Sequence, residues 1–169
     1  MERADFFREA TLLAATGGMG LMAGVFAIFS NAIMPGLRDT DDRTFVAGFQ
    51  SIDRAIINPL FMTTFFGTLI ATGVAAGLHG QDDHRGPLPW ISTAFVLYLA
   101  VVVITIAVNV PLNDAIKAAG LPNGVAALAA VRGQFHEARW VRWNAVRTVM
   151  TVGAFGSLLG ALVRVGADR

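Results

Sequence analysis

The sequence predicts an all-α integral membrane protein, a four-helix bundle with short amphipathic connecting helices on one face. Three observations carry that expectation. Hydrophobic residues make up 54% of the 169 residues and charged residues only 15%, against about 45–50% and about 25% in soluble domains. The mean hydropathy is accordingly high, at +0.58. Charge-free runs long enough to cross a bilayer recur along the chain, and small residues repeat inside them at helix-packing spacing.

The length suits one domain, residues 1–169, and leaves no room for a separate cofactor domain. Four spans are predicted, at about residues 10–37, 55–78, 87–113 and 143–166. At a rise of about 1.5 Å per residue, the first three exceed the roughly 20 residues a crossing needs. The fourth has a shorter charge-free core, residues 148–163, and borrows Trp143 to Arg147 as its interfacial end. The first run is too long for a signal-peptide core and follows Glu2, Asp5 and Glu9 as well as Arg3 and Arg8, so it reads as a retained span.

Four spans put both termini and the turn at residues 79–86 on one side, and the connections at residues 38–54 and 113–142 on the other. The second side carries more Lys and Arg, which orients it toward the cytoplasm of a cell (inner) membrane. The connections have apolar positions at helical spacing, Phe45, Val46, Phe49 and Ile52 in one and Val125, Leu128, Val131 and Phe135 in the other. Asn123 is placed to cap an Ala-rich helix that runs on into the fourth span. Gly20 and Gly24, Gly73 and Gly77, and Gly156 and Gly160 form GxxxG pairs, expected to mark close helix contacts within the chain, Gly156 among them. A homo-oligomer seam is the alternative use of such pairs.

Composition also excludes function classes. The absence of cysteine removes disulfides, a thiol nucleophile, cysteine-ligated zinc and iron–sulfur clusters. A net charge of +1 is too balanced for a nucleic-acid partner. The expected partners are the lipid bilayer and a lipophilic small molecule, with no cofactor and no metal. His79 and His84 with Asp82 and Asp83 are the only other metal-like grouping, and they read as a solvated turn between glycines.

Polar residues enter the apolar helices at one membrane face. Gln50, Arg54 and Asn58 fall at i, i+4 and i+8, with Asp53 beside them. Thr105, Asn109 and Asn113 share that spacing and Asp114 follows. His136, Trp140, Asn144, Arg147, Thr148 and Thr151 extend the pattern into the fourth span, and Ser30 and Asn31 end the first. An Asn or Arg at membrane depth is expensive unless it pairs, faces the bundle interior or lines a wet cavity. Two readings follow: a pocket between the helix ends, or interhelical hydrogen bonding with Asp53 or Asp114 neutralising Arg54 or Arg147.

The string NVPLND at residues 109–114, followed by RWVRWNAVRT at residues 139–148, resembles the signature of a family of small four-span membrane proteins that includes the anthrone oxygenases. FQSIDRAIINPLF at residues 49–61 and FSNAIMPGL at residues 29–37 resemble it too. Where relatives carry His directly after the Asn of the WN pair, this chain has Ala145. The resemblance implies a membrane-embedded oxygenase acting on a lipophilic polycyclic phenol by deprotonation and reaction with dioxygen. In that chemistry His136, Asp53 or Asp114 supplies the base, and Arg54 or Arg147, helped by Asn109, Asn113 and Asn144, holds the oxyanion. Asn31, Asn58, Trp140 and Trp143 complete the expected substrate-binding set, with Phe61 and Met34 as apolar wall. The alternative is a non-catalytic membrane accessory or lipophile-binding protein whose polar cluster is structural.

Overall fold

The computed structural model describes residues 3–80 and 85–167, so Asp82, Asp83 and His84 of the metal-like turn lie outside the described residues. The chain is all-α. Its helices are α1 (Arg3–Ile28), α2 (Met34–Arg38), α3 (Asp42–Ile56), α4 (Pro59–Leu78), α5 (Leu88–Ile104), α6 (Val110–Ala118), α7 (Val125–Gln134) and α8 (Glu137–Ala167). Two π-helical turns, π1 (Phe29–Ile33) and π2 (Thr105–Asn109), join α1 to α2 and α5 to α6. Four helical stretches, Asp5–Arg38, Pro59–Leu78, Leu88–Ala118 and Val125–Ala167, are long and apolar enough to cross a membrane, as in an integral membrane protein.

Each π turn has a cause in the sequence. Pro35 and Pro111 lack an N–H, and a proline ring collides with the carbonyl four residues before it, so the regular ladder cannot continue through either position. The helix responds by shifting one bond: Met34 N–H donates to Phe29 O and Val110 N–H to Thr105 O, five residues back. The same order, long helix, π turn, proline helix, short helix, long helix, occurs twice along the chain.

The chain packs as two compact units, residues 1–24, 59–101 and 149–169 in one and residues 25–58 and 102–148 in the other. The first unit is built from segments of α1, α4, α5 and α8, and small residues set their contacts. A β-carbon placed on Gly20 would lie 3.0 Å from the Phe155 ring, one on Gly73 3.1 Å from Phe95, and one on Gly160 2.9 Å from Trp90, while Gly18 lies against Thr68. These contacts join α1 to α4, α4 to α5, α5 to α8 and α8 to α1. Buried hydroxyls turn to carbonyls, Tyr98 to Phe65 O at 3.1 Å and Ser157 to Trp90 O at 3.0 Å, because lipid offers them no water.

Only one glycine of each GxxxG pair is used in this way. A β-carbon on Gly24, Gly77 or Gly156 meets nothing within 4 Å, and Gly156 is exposed, which corrects the expectation that it marks a contact within the chain. Gly160→Leu should therefore lower the melting temperature in detergent, at a cost of about 1–3 kcal/mol for overpacking. Gly156→Leu should leave it unchanged. The reverse order of the two variants would refute this packing.

In the second unit α3 is amphipathic. Phe45, Val46, Phe49, Gln50 and Asp53 are buried on one face, and Arg43, Thr44, Ser51 and Arg54 are exposed on the other. Asp41 starts α3 by accepting from Arg43 N–H at 3.0 Å and Thr44 N–H at 3.1 Å. The Thr44 hydroxyl, then the backbone bonds, hold its carboxyl below the ordinary Asp value. The core joins Met34, Phe45, Val46, Phe49, Leu112, Ile116, Val131, Phe135 and Trp140. Its aromatic rings interlock, Phe49 with Phe135 at 4.4 Å and Phe49 edge-on to Trp140 at 5.7 Å.

Two details differ from expectation. Gly124, at φ +107°, takes the N-cap of α7 with no side-chain cap, and Asn123 is exposed. The helix also does not run unbroken into the fourth span. It stops at residues 135–136, where His136 has φ +51°, a left-handed conformation uncommon outside glycine.

Candidate functional site

The polar side chains of the second unit form two linked groups. The first starts at Asp53, buried on α3. Lys117 Nζ lies 2.9 Å from its Oδ2 and 3.1 Å from Asp114 Oδ1. Asn113 donates from Nδ2 to Asp53 Oδ1 at 2.7 Å and accepts at Oδ1 from Trp140 Nε1, also at 2.7 Å. The Asn113 amide is thereby fixed in orientation, since a carboxylate only accepts and an indole N–H only donates. Asn109, at the end of π2, reaches the Trp140 carbonyl at 3.4 Å, and its own Oδ1 is buried with no hydrogen-bond partner among the described residues.

The second group surrounds Arg147, one turn into α8 from Trp143. Its guanidinium is buried, donates to Asn144 Oδ1 at 2.8 Å and Thr105 Oγ1 at 3.1 Å, and stacks 4.6 Å from the Phe26 ring centroid. It also lies 5.6 Å from the Trp140 ring, which connects the two groups. Asn144 spends both amide hydrogens, on Phe26 O at 3.1 Å and Ser30 Oγ at 2.7 Å. The carboxylates anticipated as partners of Arg147 are engaged elsewhere, Asp53 with Lys117 and Asn113, and Asp114 with Lys117.

Other anticipated residues stand apart from these groups. Asn31, Asn58 and Arg54 are exposed, and Asp114, though joined to the first group through Lys117, is exposed too. Arg54 reaches Ser51 Oγ at 3.4 Å and Asn58 caps Ala55 O at 2.9 Å. His136 is exposed as well. Because the chain breaks at residues 135–136, His136 caps α8, its carbonyl accepting from Arg139 N–H at 2.8 Å and Trp140 N–H at 3.1 Å, and it leaves the stripe that holds Trp140, Asn144 and Arg147.

His136 instead lines an open depression of about 540 Å³ with Glu137, Ala138, Arg139, Arg142 and Trp143. The depression is open and lined by one short stretch of chain, residues 136–143. Its chemistry suits an aromatic anion. It lies at the N-terminal turn of a 31-residue helix, where free N–H groups and the helix dipole favour negative charge, and Arg139 and Arg142 add to that field. The charge of Glu137 is answered from outside the depression, by Arg38 at 3.0 Å and Arg132 at 3.3 Å. Among the described residues no group of acidic and histidine side chains is arranged to hold a metal ion.

The family model described as anthrone oxygenase matches residues 60–157, more than half of the chain. The chain belongs to the anthrone oxygenase family. No curated protein and no solved structure matches it. The family match spans Asn109, Asn113, Trp140, Asn144, Arg147 and the whole depression, whereas Asn31, Asp53, Arg54 and Asn58 precede it. Sequence reasoning did not single out Lys117, Arg132, Arg139 or Arg142, which in this anthrone oxygenase family member contact Asp53 and Glu137 or line the depression.

Proposed function

We propose that the chain is an oxygenase of the cell membrane that converts an anthrone-like polycyclic phenol to the quinone, with the depression at the start of α8 as substrate site. The observation that supports this reading most is the joint lining of that depression by His136, Arg139, Arg142 and Trp143. Trp143 gives a planar ring a face to stack on. His136 takes a proton from the acidic phenol or enol, and Arg139 and Arg142 hold the resulting oxyanion beside the N-terminus of α8. The electron-rich carbon then bonds to dioxygen, and the hydroperoxide loses water to leave a carbonyl. One oxygen atom stays in the product and the other leaves as water, so the four electrons lost by carbon equal those gained by dioxygen. Asn113 and the buried Asn109 tie Trp140 in the first turn of α8, and the buried Asn144 and Arg147 tie the turns that follow.

The test is oxygen uptake and quinone absorbance with a hydroxylated anthrone, measured above its spontaneous oxidation, for the purified chain in lipid nanodiscs. His136→Gln should lower turnover by about 10²- to 10⁴-fold, the usual contribution of a positioned base, with an unchanged melting temperature because the side chain is exposed. Turnover indistinguishable from spontaneous oxidation would overturn the reading. The hydrogen-bonded state of Asn113 and Asn144 favours one second reading, a non-catalytic lipophile-binding or accessory protein in which the polar cluster is structural. In that case the anthrone quenches Trp143 fluorescence without being consumed.

A further inference from the structure

One residue of the second unit with several partners is one the proposed chemistry does not use. Arg132, on α7, donates from Nη1 to Thr40 O at 3.0 Å and Asp42 Oδ1 at 3.1 Å, and from Nη2 to Arg38 O at 2.9 Å and Glu137 Oε2 at 3.3 Å. Its guanidinium also lies 4.2 Å from the Phe45 ring centroid. One planar fork thus ties together two carbonyls at and just after the end of α2, the first residue of α3 and the first residue of α8, a task its rigid donor geometry suits better than an ammonium would. Arg38 Nε closes the arrangement by donating to Glu137 Oε1 at 3.0 Å.

Those partners bracket the chain break. Arg132 stands four residues before His136, and Glu137 stands one after it. Phe135, with no exposed surface, is anchored in the aromatic core between them. His136 is held at φ +51°, and a non-glycine residue keeps such a conformation only where its surroundings over-determine it. We propose that Arg132 is the positioning residue of the site: by fixing Glu137 to the connection between α2 and α3, it holds the break that presents the His136 ring to the depression. The inference rests on the oxygenase reading for its catalytic consequence, and on the hydrogen-bond geometry alone for its structural one.

Two measurements on the full chain in nanodiscs test it. Hydrogen exchange of the Arg139 and Trp140 amides, which donate to the His136 carbonyl, should quicken in Arg132→Gln while amides of α4 and α5 keep their protection. With a hydroxylated anthrone, Arg132→Gln should lower kcat roughly 10- to 100-fold, as a small misplacement of a reacting group does, with KM little changed and with partial recovery in Arg132→Lys. In the His136→Gln background, the Arg132→Gln substitution should lower kcat no further, because its effect runs through that ring. Unchanged exchange at residues 139 and 140 would overturn the inference whether or not the chain turns anthrone over. An equal fall of kcat in both backgrounds would overturn it too. Quickened exchange in a chain whose unsubstituted form has no turnover would defeat the oxygenase reading and reduce Arg132 to a structural clamp.

Discussion

Asn113→Asp should be among the most destabilising conservative substitutions in the chain, with a loss of about 3–5 kcal/mol. The change replaces an N–H donor with an oxygen, at a position 2.7 Å from Asp53 Oδ1. Two carboxylates then face each other at the edge of a low-dielectric core. Lys117 can answer one of them, but it already lies 2.9 Å from Asp53 and 3.1 Å from Asp114. Asn113→Leu removes the same bond without adding charge. It leaves Asp53, which keeps Lys117, and Trp140 Nε1 one partner short at a half-buried position, at about 1–3 kcal/mol in all. The expected ranking in detergent unfolding is therefore wild type, then Asn113→Leu, then Asn113→Asp. An Asp variant as stable as wild type would show that the amide does not sit between a carboxylate and an indole.

The helices were legible in the sequence because the signals that specify them are local. Charge-free runs bounded the spans, the apolar spacing of Phe45, Val46 and Phe49 predicted the buried face of α3, and the polar stripes of residues 109–113 and 140–147 predicted inward side chains. The anthrone oxygenase resemblance rested on those same stretches. What the sequence concealed was decided by single residues acting over distance. Both π turns are consequences of a proline, but spacing rules assume 3.6 residues per turn and pass over a one-residue shift. That His136 would leave its stripe depended on a left-handed residue between α7 and α8, which no pattern of apolar positions announces. The partner of Asp53 was hidden for a different reason. Arg54 and Arg147 attract attention as charges in or near spans, yet Lys117 holds the carboxylate, because α3 returns alongside α6 and only the tertiary path shows that. The glycines make the same point at finer scale: Gly156 and Gly160 are indistinguishable by pattern, and only the position of Trp90 separates them.

The second prediction of large effect concerns Asn144, where the ranking of the same two substitutions should invert. Asn144 Oδ1 is 2.8 Å from a nitrogen of the buried Arg147 guanidinium. Asn144→Asp turns that contact into an ion pair. It gives up two donated bonds, to Phe26 O and Ser30 Oγ, but the Ser30 hydroxyl can rotate and donate in return. The gain at Arg147 offsets most of the loss at Phe26, so a net change of about 1 kcal/mol is expected. Asn144→Leu has no such compensation. It strips an acceptor from a buried cation, where a bond to charge is worth about 1.5–3 kcal/mol, and orphans the Ser30 contact as well. The expected loss is about 3–5 kcal/mol, the range seen when one partner of a buried charged contact is removed. The two positions share a residue type, and the charge of the neighbour is what separates the expected rankings, Asp53 in one case and Arg147 in the other. Measured together, an Asp substitution worse than Leu at Asn113 and better than Leu at Asn144 is the outcome this hydrogen-bond network requires. The same ranking at both positions would mean that one of the two amides lacks the partner assigned to it.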